Sequence, residues 1–159
     1  MRKGLLFVLA DGGRARFVER DVETGAFVTL EAIDNAASLR RLRRELRASP
    51  PARTFNSVGR LRHAVGREDY LRPAKEAFVA TVASRAVELV RRRGLQGVVL
   101  AAPPQLIGPL RRRFRDGRVA LVARTIGKDL TREPDHALDT WFERLGRGRL
   151  LGPLTGYSS

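Results

Sequence analysis

Cysteine is absent from the chain, which excludes a disulfide framework, a thiolate metal site and a cysteine nucleophile, and suits a reducing compartment. Histidine occurs only twice, as His63 and His136, neither beside a second histidine or a carboxylate pair at metal-ligand spacing. No metal and no cofactor are expected on that ground. Aromatic residues make up only 6% of the chain, and no stretch approaches the ~20 uninterrupted apolar residues of a membrane span, so a membrane-spanning protein is excluded. Catalytic signatures are missing as well. No G-x-x-x-x-G-K-[ST] loop occurs, and Ser57 and Ser84 lack a G-x-S-x-G context. Gly146-Arg147-Gly148-Arg149 follows a helical pattern where a dinucleotide loop follows a strand, and it lacks the third glycine of G-x-G-x-x-G. Lysine is scarce too, with Lys3, Lys75 and Lys128 the only three.

What is present is arginine and a foldable core. The 159 residues are 43% hydrophobic and carry a formal net charge of +14, which suits one folded domain. Residues 36–72 hold ten Arg against three acids, and residues 91–118 hold eight Arg against one. The rest of the chain is balanced, so all the excess charge lies in two segments. Such a surface attracts polyanions by counterion release, and arginine adds bidentate phosphate contacts. A plainer account also fits, because an Arg-for-Lys bias with abundant Ala and Gly is what a GC-rich genome writes, leaving a solvated basic face.

Arg2 and Lys3 before the apolar Gly4–Ala10 could open a signal peptide, but the run stops at Asp11 and charges follow at Arg14, Arg16, Glu19 and Arg20. A buried first strand and a cytoplasmic protein are therefore expected. Leu5–Leu9, the turn Asp11-Gly12-Gly13, Ala15–Val18, the turn Glu23-Thr24-Gly25 and Phe27–Leu30 read as a three-strand antiparallel meander ending near Asp34. Ser38 is placed as the cap of a helix reaching Ala48, with Leu39, Leu42 and Leu46 as its apolar stripe and Pro50-Pro51 behind it. Residues 52–67 show no sustained periodicity and read as an exposed loop.

A long helix is then expected to Arg93, with Pro73 in its first turn or at a kink, and Gly94 just past its end. Gly97–Ala102 lacks alternation and reads as a strand buried on both faces, ended by Pro103-Pro104. Leu106, Ile107, Leu110 and Phe114 mark a helix with Arg111, Arg112, Arg113 and Arg115 outside. Val119–Ile126 reads as a strand parallel to the previous one, and Pro134–Leu145 as the last helix. The reading is an α/β domain over 1–145, a mixed sheet of about five strands packed by helices, with a flexible Gly-rich tail over 146–159. Arg14 and Arg16, two apart on one strand face, would meet a phosphate or pair with Glu19 and Glu31. Asp11 and Asp129 at strand ends could face one another as in a metal-dependent nuclease, or be turn residues.

Three blocks carry a resemblance: Ala10-Asp11-Gly12-Gly13-Arg14-Ala15-Arg16-Phe17; then Val98–Pro104 with Leu106, Gly108 and Leu110-Arg111; then Gly127-Lys128-Asp129-Leu130-Thr131. They resemble the bacterial host attachment protein family over roughly residues 5–145, in its order and at plausible spacing. That family is similar in turn to the central domain of archaeal and eukaryotic peptide chain release factors, which implies an RNase H-like arrangement. Asp11, Gly12, Gly13, Arg14, Arg16, Pro103, Pro104, Gly108, Lys128 and Asp129 are the family-motif positions. The loop that in release factors carries Gly-Gly-Gln corresponds to Asn56–Arg67, which has no glutamine; Gln96 and Gln105 are the chain's only two. The resemblance thus implies the scaffold without the ester hydrolysis.

The expectation is a non-catalytic cytoplasmic protein binding RNA or the ribosome, with any effect on attachment to host cells indirect. Arg40, Arg41, Arg43, Arg44, Arg60, Arg62, Arg67, Arg111, Arg112 and Arg113 would be the phosphate contacts. A tRNA-ester hydrolase using the loop around His63, a nuclease using Asp11 and Asp129, and a protein-interaction module for an acidic partner are the alternatives. Oligomeric state, and whether the two basic segments share a face, are left open by the sequence.

Overall fold

The computed structural model describes residues 4–21, 23–48, 57–116 and 122–146, with the backbone alone for 57–70 and 144–146. Strands β1 (Leu5–Ala10), β2 (Arg14–Arg20) and β3 (Phe27–Asp34) are followed by helices α1 (Ala36–Ala48) and α2 (Ser57–Arg93). Then come β4 (Gly97–Ala101), α3 (Pro104–Asp116), β5 (Val122–Ile126) and α4 (Asp135–Gly146). The five strands form one sheet in the order β3-β2-β1-β4-β5. The meander pairs antiparallel, and β4 pairs parallel with both β1 and β5. This is the mixed α/β sheet the sequence pattern implies.

Pleating divides the core in two, because successive side chains of a strand point to opposite faces. On one face Leu6, Val8, Phe17, Val98 and Leu100 pack with Phe78, Val82 and Ala86 of α2 and Leu110 and Phe114 of α3. On the other, Phe7, Leu9, Val18, Phe27 and Val99 pack with Leu130, and with Leu138 and Phe142 of α4. The rings of Phe7, Phe27 and Phe142 meet at centroid separations of 4.7–5.4 Å. β1 and β4 are buried on both faces, which is why neither shows alternation.

Turn chemistry sets the ends. Asp21 Oδ1 accepts the N–H groups of Glu23 (2.7 Å) and Thr24 (3.0 Å), and Gly25 takes the left-handed φ of 74° that closes this turn. Gly94 follows α2 with φ 61°. Its N–H reaches the Arg91 carbonyl at 3.3 Å while the Leu95 N–H reaches Val90 at 2.9 Å, the two bonds of a Schellman stop. Pro104 opens α3 at the first helical position, where its missing N–H costs nothing.

Three expectations change. Residues 57–67 are the start of α2 and not loop, so α2 runs for 37 residues; its first turns carry only a thin stripe of Val58, Leu61 and Val65, broken by Gly59 and Gly66 and crowded by arginine. Residues 49–56 lie outside the described residues. Pro73 stands in the middle of α2, well beyond its first turn. Ser38 is inside α1, whose cap is instead made by Asp34, the carboxylate of which accepts the Ala36 N–H at 2.9 Å. The expected tail beyond Gly146, and Val119–Leu121 of the expected last strand, lie outside the described residues.

Candidate functional site

The family-motif residues after β1 build a rigid turn. Asp11 Oδ1 accepts the N–H groups of Gly13 (2.7 Å) and Arg14 (2.6 Å), while the Asp11 N–H donates to the Arg14 carbonyl at 2.9 Å. Neither Gly12 nor Gly13 has a positive φ, so glycine serves another purpose here. A Cβ on Gly13 would come 3.0 Å from Ala36 Cα and 3.2 Å from Leu39 Cδ1. The Gly13 carbonyl also accepts the Asn35 N–H at 2.7 Å. The glycine thus lets the start of α1 lie directly on the turn. Gly12 points outward and lines the cleft described below.

The carboxylates proposed for two-metal chemistry converge on one threonine. Asp129 Oδ1 accepts the Thr131 N–H at 2.9 Å and its hydroxyl at 2.6 Å, and Asp11 Oδ2 is 3.4 Å from the same hydroxyl. With a single hydroxyl proton, Thr131 donates to Asp129, the shorter contact. Both acids therefore cap turns, and among the described residues no group of three or more His, Asp or Glu could hold a metal ion. Lys128 lies 3.7 Å above the Trp141 ring, and Gly127 packs against Pro104, whose Cγ is 3.4 Å from where its Cβ would be. Pro103 is half-buried; Gly108 is exposed on α3 with nothing within 4 Å of a Cβ.

Arg16 does not pair with Glu19 or Glu31. It reaches across to the segment before α4, donating to the carbonyls of Thr131 (3.0 Å) and Glu133 and to Asp135 Oδ1 at 2.5 Å. Thr29 completes the Asp135 shell through its hydroxyl (2.6 Å) and N–H (3.1 Å). Burial pushes the Asp135 carboxyl up, but the Thr29 donors and the Arg16 guanidinium outweigh it and hold the group below its ordinary value. Arg14 pairs with Asp34 at 3.4 Å, Glu31 with Arg85, and Glu19 with Arg93. Arg14 and Arg16 are thus structural, engaged by acids that were not foreseen.

The two basic segments do meet. A cavity of about 720 Å³ opens between α1, α2, α3 and the β1–β2 turn. Arg43 comes from α1, Arg72 and Lys75 from α2, and Arg112 and Arg113 from α3. Phe78, Val79, Leu106 and Pro109 are its apolar lining, and Glu76 and Asp116 its acids. Among the described residues Arg43, Lys75, Arg112 and Arg113 enter no salt bridge, whereas Arg14, Arg16, Arg20, Arg85, Arg92 and Arg93 all do. Arg43, Lys75, Arg112 and Arg113 thus bring four cations without a carboxylate partner among the described residues to one cavity.

Of the sequence-selected arginines, Arg43, Arg112 and Arg113 line this cleft. Arg40, Arg44 and Arg111 are exposed on the same helices outside it, and Arg41 pairs with Glu45 at 3.4 Å. Arg60, Arg62 and Arg67 belong to α2, and their side chains, like that of His63, lie outside the described residues. Arg72, Lys75 and Gln105 were not singled out. Helical spacing held the signal: Arg72, Lys75, Glu76 and Val79 fall at i, i+3, i+4 and i+7, and Gln105, Pro109, Arg112 and Asp116 form a similar stripe on α3.

Fold and cleft together define a single α/β domain with a mixed five-stranded sheet and an arginine-lined cavity on one helical face. The sequence family described as "Protein required for attachment to host cells" matches residues 6–141. The chain belongs to that family. A comparison with curated proteins finds no match. No helix among the described residues is long and apolar enough to cross a membrane.

Proposed function

We propose that this chain is a non-catalytic RNA-binding protein, built on a release-factor-like scaffold, that engages RNA or the ribosome through the cleft between α1, α2 and α3. The convergence of Arg43, Arg72, Lys75, Arg112 and Arg113 on one cavity carries the reading. Arg43, Arg112 and Arg113, which enter no salt bridge among the described residues, present guanidinium donors that phosphate oxygens satisfy in pairs. The family's description concerns attachment to host cells; an RNA-binding protein acts on attachment indirectly, through the expression of surface components.

The test is co-sedimentation with ribosomes and titration of bare RNA across a salt series, with an acidic protein as control. Each phosphate contact contributes about −0.7 to the slope of log affinity against log salt for a single strand. The four cleft cations Arg43, Lys75, Arg112 and Arg113 predict a slope of roughly −3, its magnitude falling by about two when Arg43, Arg112 and Arg113 are all changed to Gln. RNA affinity insensitive to that triple variant, or preference for the acidic protein, would overturn the reading.

A further inference from the structure

The cleft is more than a charged surface. Its cations stand around an apolar floor made by buried Phe78 and Val79 and half-buried Leu106 and Pro109. Phosphates gain nothing from such a floor, and desolvating it beside a phosphate backbone serves no purpose. A nucleobase gains from it, because every base offers a flat, largely apolar face. The volume of about 720 Å³ falls in the range of small-ligand sites, roughly 300–1,000 Å³. It accepts one nucleotide and is far too small for a duplex, whose bases are stacked away from any floor. Glu76 and Asp116 line the cavity too, against five basic side chains, so it keeps a positive balance that suits a single phosphate beside an apolar floor.

We infer that this cavity receives one unpaired nucleotide of an RNA strand, its phosphate held by Arg43, Arg112 and Arg113 and its base laid on the Phe78–Val79–Leu106–Pro109 floor. The inference rests on the RNA reading above and narrows it from any polyanion to single-stranded RNA.

Fluorescence anisotropy of the full chain separates the two. The probes are a short labelled RNA single strand, its blunt-ended duplex, an abasic strand of equal length, and a nucleoside monophosphate as competitor. Base contact with an apolar platform is expected to make the base-bearing strand bind about tenfold tighter than the abasic strand, and tighter than the duplex at equal phosphate. Leu106→Ser is expected to remove most of that difference while leaving abasic-strand affinity and salt slope unchanged; the wild-type comparison stands should this variant fail to fold. Equal affinity for abasic and base-bearing strands, or preference for the duplex, overturns the nucleotide site and leaves RNA binding in place. Competition by the monophosphate at the strand's own concentration overturns the strand as ligand. No binding to any probe overturns both readings.

Discussion

Arg16 and Asp135 show how a single pair can tie the first half of the chain to the last. The Arg16 side chain is 16% exposed and that of Asp135 37%, and the guanidinium also satisfies two carbonyls in the segment that leads into α4. Removing the carboxylate leaves a half-buried cation with fewer acceptors than it needs. Asp135→Ala is therefore expected to cost about 2 kcal/mol, read as a lower midpoint in denaturant at unchanged slope. Asp135 also sets a pH dependence. Its folded value lies below its ordinary one, as do those of Glu31, beside the Arg85 guanidinium, and Asp34, which accepts the Ala36 N–H. A depressed carboxylate contributes stability that is complete above the unfolded-state value and is lost as pH falls through the folded-state value. Thermal stability should thus hold across neutral pH and decline on acidification through the carboxylate range and below it. In Asp135→Asn that acid decline should be shallower, and an identical decline would remove Asp135 from the account.

Among the elements, α1 is the least anchored. It has no buried residue and rests on half-buried Leu39, Leu42 and Leu46, on the Asp34 cap and on Gly13. Gly13→Val would drive side-chain atoms into Ala36 and Leu39, and α1, being only lightly held, would lift before the core distorts. The expected loss of stability is about 1–2 kcal/mol. RNA affinity should fall as far as in Arg43→Gln, and combining the two changes should weaken binding little further, because both take the same guanidinium out of the cleft. Fully additive effects in that cycle would mean that Gly13 does not position α1 for binding. The element order itself was legible in the sequence, since Gly25, Gly94 and Pro103-Pro104 each punctuate the chain through a specific backbone need. Residues 57–67 were not, because their thin stripe of Val58, Leu61 and Val65 is masked by Gly59, Gly66 and a run of arginines that read as loop. Nor was the Arg16–Asp135 bond: partners separated by more than a hundred residues are joined only by the packing of α4 on the sheet.

At the scale of the whole molecule the sheet separates two electrostatic surfaces. The α4 face holds Phe142 and half-buried Trp141, with Arg16 and Arg20 facing Asp135 and Asp139. The opposite face carries the cleft, with Arg43, Lys75, Arg112 and Arg113 around it. Sequence counting placed the excess charge in residues 36–72 and 91–118 but could not show that the segments meet; that depends on α2 and α3 covering the same side of the sheet. Trp141 is the only tryptophan, and it lies across the sheet from the cavity, under Lys128. RNA bound in the cleft should therefore leave Trp141 emission unchanged in the folded protein, while the same emission reports unfolding. At a free strand concentration a hundred times its dissociation constant, mass action adds about 2.7 kcal/mol to stability, so melts followed at Trp141 should shift upward with RNA. The shift should vanish in the triple variant of Arg43, Arg112 and Arg113. An emission change on binding that precedes any melting, and that survives in the triple variant, would instead put the bound strand on the α4 side of the sheet.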